Sequence, residues 1–220
     1  MLRLSIDAKA PVSVGPFSRR GASRVVVRAA DHDFGTIEKL TPLGIFLPDY
    51  DELYLYFTAG PLTADFMVDC LQDFWTLVGL SFPLITSLLI NLDNGPENHS
   101  HRTQFMYRLV AWADATRLTL QLAYYPPYHS KYNPIERTWG VLEQHWNGSL
   151  LDSRQTVLRM ASTMTWKAFS PIVKFVNQVY RKGVALSKQA MQALEARLER
   201  LPTLPKWFVR IVPLSSLSPG

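Results

Sequence analysis

The sequence predicts an α/β fold, a mixed sheet flanked by helices, and three observations lead there. Near the amino terminus apolar and polar residues alternate in short runs, the two-residue period of strands. From about residue 63 the apolar spacing lengthens to that of amphipathic helices, interleaved with further short apolar runs. The resulting order is strands first, then helix, strand, helix, strand and helix. It suits a sheet covered by helices rather than a bundle or a sandwich.

Leu2, Leu4 and Ile6 alternate with Arg3, Ser5 and Asp7, so the chain opens on a half-buried strand whose polar face carries Asp7. Val25 to Arg28 and Leu43 to Leu47 are short β-prone runs, and Pro48-Asp49 marks a turn before Leu53, Leu55 and Phe57. Between Thr63 and Val78, Phe66, Met67, Cys70, Leu71, Phe74 and Val78 share one helical face, with Thr63 suited to cap it. Asp65, Asp69 and Asp73 read as a solvated stripe of that helix, without chemistry. Thr86 to Leu92 is a strand stopped by Asp93-Asn94-Gly95-Pro96.

Phe105, Met106, Leu109, Val110 and Ala113 give the next helix its buried stripe, and Leu118, Leu120 and Leu122 a further strand. Tyr125-Pro126-Pro127-Tyr128 breaks that strand. Asn133-Pro134-Ile135-Glu136 then opens a helix, Asn133 as its cap and Pro134 in the first turn, with Ile135, Trp139, Leu142 and Trp146 on the apolar face. Basic helices are expected over the remainder. The expected organisation is a core over residues 1–150, a basic helical extension over 151–212 and a flexible tail over 213–220.

At 220 residues, with 47% hydrophobic and 19% charged, the chain can bury a core, which excludes wholesale disorder. The single cysteine, Cys70, excludes an intrachain disulfide and a multi-cysteine zinc site. The apolar stretch from Leu77 to Leu92 is broken by Gly79, Ser81, Pro83 and Asn91, and the first residues lack the apolar core of a secretory signal. A cytoplasmic protein without a membrane partner is expected.

Net charge is +5, but it divides into −5 over residues 1–100 and +10 over 101–220. Such asymmetry suggests a polyanionic partner met by the carboxyl-terminal half. Arg19, Arg20, Arg24 and Arg28 form a further basic run that suits a phosphate backbone, with a solvated loop as the alternative.

Three acids sit at element boundaries: Asp7, Asp93 and Glu136. Carboxylates gathered from distant positions repel unless a cation neutralises them, and hard oxygen ligands suit magnesium or manganese. Two such ions would serve an in-line phosphodiester displacement. Each acid also has an ordinary reading, as a strand residue, a turn former and a helix-terminus carboxylate respectively. Glu143 competes with Glu136, but seven residues of helix separate them by about 10 Å, so both cannot serve one metal pair.

The stretch LINLDNGPENHSHRTQFMYRLV and, above all, Tyr-Pro-Pro-Tyr-His-Ser-Lys-Tyr-Asn-Pro-Ile-Glu-Arg resemble bacterial insertion-sequence transposases of the DDE type, in the broad group that includes mariner-like elements. The resemblance implies a ribonuclease H-like fold with Asp7, Asp93 and Glu136 as first, second and third catalytic, metal-binding acids. It implies Mg2+, with Mn2+ as a substitute, two ions, and double-stranded DNA, both transposon ends and target, as partner. It further implies a homo-oligomer on DNA and a place beside the bacterial nucleoid.

Lys131 and Arg137 are candidate phosphate contacts, and Asn94, His129, Ser130 and Asn133 candidate supports. Relatives carry DNA-binding helices ahead of the first acid, which here follows almost directly on Met1, so an amino-terminal truncation is expected. The implied function is metal-dependent DNA cleavage and strand transfer. A catalytically inactive DNA-binding remnant and a ribonuclease H-like nuclease are the alternatives.

Overall fold

The computed structural model of the chain describes residues 1–16, 38–126 and 129–214. Arg19, Arg20 and Arg24, and the run from Val25 to Arg28, lie outside the described residues. Within them, nine strands and five α-helices make an α/β structure with parallel and antiparallel pairings. The chain divides into two compact units, each assembled from separate stretches of sequence.

The first unit comprises Met1–Ile6, Thr63–Asn133 and Arg181–Gly220. Its strand β1 (Leu2–Ala8, whose last two residues belong to the second unit) pairs in parallel with β5 (Ser87–Leu92), from Leu2↔Leu88 to Ser5↔Asn91. β5 pairs in parallel with β6 (Thr119–Tyr124). Antiparallel β9 (Phe208–Ile211) follows on β6, and β8 (Leu198–Arg200) on β9.

Helix α1 (Ala64–Val78) starts where expected, with Thr63 Oγ1 accepting from the Phe66 N–H at 3.2 Å. Its apolar stripe is buried as the periodicity predicts. The acidic face is not a solvated stripe, however. Asp65 and Asp69 both accept from Arg108 of α2 (Thr103–Thr116), at 2.6 and 2.5 Å, and lock the two helices side by side.

The second unit comprises Asp7–Leu62 and Pro134–Tyr180. There β2 (Val12–Val14) and β4 (Glu52–Thr58) pair antiparallel with β3 (Glu38–Leu47), and β7 (Ile172–Phe175) runs parallel to β4. Helices α3 (Glu136–Trp146) and α4 (Arg154–Thr163) cover these strands, burying Trp146, Phe57, Leu142 and Val157 completely. Each such side chain contributes roughly 1.5–3 kcal/mol of transfer free energy.

Two expectations need correcting. The stretch after residue 150 is not helical throughout: besides α4 and α5 (Lys188–Glu195) it supplies β7 and β9, which pair with strands formed much earlier in the chain, and β8, which pairs with β9. Short runs such as Phe208-Val-Arg-Ile are too brief for periodicity to separate helix from edge strand, and pairing decides them. Nor is the polar side of β1 solvated. Ser5 is fully buried and Asp7 is 8% exposed, because each finds a buried partner.

Candidate functional site

Asp7 and Glu136 both belong to the second unit. The indole Nε1 of Trp139 donates to Asp7 Oδ2 at 2.8 Å, and Trp139 stands one turn along α3 from Glu136, the first residue of that helix. A helix N-terminus carries unpaired N–H groups and the positive end of the macrodipole, an environment that favours a carboxylate. The approach of α3 depends on Gly44 of β3. A Cβ there would lie 2.5 Å from Ile135 Cδ1 and 2.8 Å from the Trp139 ring, so a residue without a side chain lets the helix seat.

Asn133 does not cap α3; Ile135 precedes Glu136 and no side chain caps the helix. In the first unit, Asn133 is 1% exposed, donates Nδ2 to the Ile6 carbonyl at 3.0 Å and accepts from Ser5 Oγ. It pins the end of the segment that precedes α3 to β1. Burial with both amide groups satisfied outweighs the cap, which a helix end near solvent can replace with water.

Asp93 follows β5 in the first unit and is half-buried. Asn98 Nδ2 donates to its Oδ1 at 2.6 Å. The loop that carries both is held tightly: the Asn98 and His99 N–H groups donate to the Gly95 carbonyl, Tyr124 Oη donates to the Asn98 carbonyl at 2.9 Å, and Arg200 donates to the Ser100 carbonyl at 2.9 Å. Burial pushes the Tyr124 phenol well above its ordinary range, so it remains a neutral donor. Asn94, the expected neighbour, is exposed. Asn98 is the side chain that meets Asp93, and an asparagine five residues beyond an aspartate has no local signature that would reveal it.

Ser130 begins the short 3-10 turn Ser130–Tyr132. In it Lys131 is exposed with Nζ 5.3 Å from the centre of the Tyr132 ring, and His129 stacks on the same ring at 5.9 Å. Arg137 is exposed on the first turn of α3. Glu143, the competing acid, pairs with Lys9 at 3.0 Å. Cys70 is buried, and burial pushes its thiol up, which removes it as a nucleophile.

The family model described as Rhodopirellula transposase DDE domain matches residues 2–213. The chain belongs to this family. Among solved structures it is similar to the Mos1 transposase paired-end complex with left transposon end, at 13% identity and a TM-score of 0.52 over 71% of this chain. That likeness is one of fold, the ribonuclease H-like α/β architecture, and the chain spans 45% of the length of the Mos1 chain. A comparison with curated proteins finds no match.

DDE transposase domains work with divalent metal ions. Among the described residues no three His, Cys, Asp or Glu side chains form a group that could hold a metal. The donors within the first unit nonetheless fit one. Asp93 offers a hard carboxylate, Asn98 Oδ1 beside it is buried with no hydrogen-bond partner among the described residues, and Gly95 leaves the space in front of both without a side chain. No helix of the described residues is long and apolar enough to cross a membrane.

Proposed function

We propose that this transposase domain cleaves DNA and transfers the cut strand, with Asp7, Asp93 and Glu136 as its catalytic and metal-binding acids. The observation that carries the reading is the Trp139–Asp7 hydrogen bond, which ties the first acid to the helix that begins with the third. The acids' oxygens suit Mg2+, with Mn2+ as a substitute, and two ions when DNA is bound. When bound, such ions would supply the activation of a water or a 3′-hydroxyl and the stabilisation of the leaving oxygen in an in-line phosphodiester displacement.

The protein's own residues set the stage for that chemistry. The Trp139 N–H holds the Asp7 carboxylate in one orientation. Asn98 does the same for Asp93. Asn133, anchored on β1, fixes the loop from which α3 departs and so aims Glu136. Lys131 and Arg137, both exposed, contact phosphates near the scissile bond, with His129 and Ser130 shaping the turn that presents Lys131.

The substrate is double-stranded DNA, transposon ends and target, engaged by a homo-oligomer at the bacterial nucleoid. Arg19, Arg20 and Arg24 would add phosphate contacts.

The test is nicking and strand joining of a duplex substrate with Mn2+, with wild type compared against Asp93→Asn and Glu136→Gln. Both substitutions should abolish cleavage while the protein remains folded. Activity that persists unchanged in either variant sinks the assignment of that acid.

A further inference from the structure

Asn98 presents a buried oxygen with nothing to receive. The residue is 3% exposed and its Oδ1 has no hydrogen-bond partner among the described residues, although Nδ2 is committed to Asp93 Oδ1 at 2.6 Å. Turning the amide over would set its oxygen against the carboxylate and strand the NH2 group instead, so this orientation is the one the hydrogen bonding requires. Nor is the side chain free to swing away. Its backbone N–H donates to the Gly95 carbonyl and its own carbonyl accepts from Tyr124 Oη.

A buried acceptor without a partner carries its desolvation cost for a reason, and the surroundings supply one. A Cβ built on Gly95 would lie 3.0 Å from Asp93 Oδ2 and 3.2 Å from Asn98 Oδ1. Both oxygens therefore face the same side-chain-free space above one glycine. Gly95 is not among the glycines with positive φ, so its backbone does not require glycine and the open space is what a side chain would remove.

We propose that Asn98 is a positioning residue for Asp93: Nδ2 fixes the carboxylate while Oδ1, beside Asp93 Oδ2, faces a divalent cation held over Gly95. An amide oxygen and a carboxylate oxygen are both hard donors of the kind such a cation takes, directly or through its shell of water. The proposal rests on the reading of Asp93 as a metal-binding acid. It adds a residue outside the three acids and gives the glycine after Asn94 a purpose.

The test titrates Mn2+ into the full chain, reads free Mn2+ by electron paramagnetic resonance, and measures the unfolding midpoint with and without the metal. Wild type should bind and Asp93→Asn should not. Asn98→Leu should lose about 10- to 100-fold in Mn2+ affinity, the usual cost of removing a group that orients a ligand. Asn98→Asp keeps an oxygen toward the cation but replaces the donor with a second charge. Its metal-free midpoint should fall, and Mn2+ should raise it by more than in wild type.

Gly95→Ala leaves Asn98 and its hydrogen bond in place but fills the space, and should weaken Mn2+ binding even if Asn98→Leu does not fold. A purely structural Asn98 would lower the metal-free midpoint in the Leu and Asp variants alike and leave Mn2+ affinity unchanged. That result overturns the proposal and leaves Asp93 a ligand. A wild-type chain that takes up no Mn2+ overturns both this proposal and the metal-binding role of Asp93.

Discussion

Trp139 donates its indole N–H to the carboxylate of Asp7, so the largest side chain on the buried face near the start of α3 is also the partner of the first acid. In the proposed site, packing and chemistry are thus joined in one residue. Trp139→Phe keeps most of the apolar contact and removes only the donor. Hydrogen bonds to charged groups contribute about 1.5–3 kcal/mol, and urea unfolding should show a loss of that size. Strand cleavage should fall by more than stability alone explains, because Asp7 is left mis-oriented while the protein stays folded. Wild-type cleavage in a folded Trp139→Phe protein would show that Asp7 needs no such partner.

Gly44 bears on the same ring. An alanine methyl would press on Ile135 and on the Trp139 ring at distances no relaxed contact tolerates, so these side chains or the backbone beneath them must shift. Overpacking of this kind costs about 1–3 kcal/mol. Combined with Trp139→Phe, the loss in a double-mutant cycle should be less than additive, since both changes act through one ring. Strict additivity would place the two residues in separate networks.

Much of this arrangement was legible in the residues themselves. The periodicity located α1, α2, β4, β5 and β6, and the motif around Asn133-Pro134-Ile135-Glu136 located the start of α3, because these features depend on near neighbours in sequence. What escaped depends on distant ones. Ser5 and Asn133 meet only once β1 and the pre-helix loop are folded together, so neither the burial of Ser5 nor the non-capping role of Asn133 has a local signal. Asn98 was hidden behind the more conspicuous Asn94, and β7 and β9 behind the basic composition of the carboxyl-terminal third.

The ties between α2 and the segment around β8 and β9 should appear in the pH dependence of stability. Hydrogen bonding from Arg197, with the Leu214 N–H and nearby guanidinium charge adding to it, holds the Asp114 carboxyl below its usual range. A carboxylate depressed in the folded state stabilises fully above its unfolded pKa, about 3.9, and loses that contribution as pH falls through the lower folded value. Asp114→Asn should therefore be less stable than wild type near neutral pH, with the gap closing below about pH 4. Urea titrations from pH 7 to pH 3 measure it. A gap that stays constant across that range would mean the ion pair is not what couples this carboxyl to folding.

The proposed DNA contact by Lys131 and Arg137 has its own signature in salt. Both side chains are exposed, and neither forms a salt bridge among the described residues, so their charges are available to phosphates. Each phosphate neutralised releases counterions, and the slope of log K against log salt changes by about 0.9 per contact on duplex DNA. Lys131→Ala and Arg137→Ala should each make the slope shallower by about that amount and weaken binding alike for all sequences, since phosphate contacts carry no base information. Lys131→Ala also removes the cation from the face of Tyr132, so Tyr132→Leu, which breaks that contact and keeps the Lys131 charge, serves as the control for loop structure. If binding weakens with an unchanged salt slope, these residues support the loop and another part of the surface meets the DNA backbone.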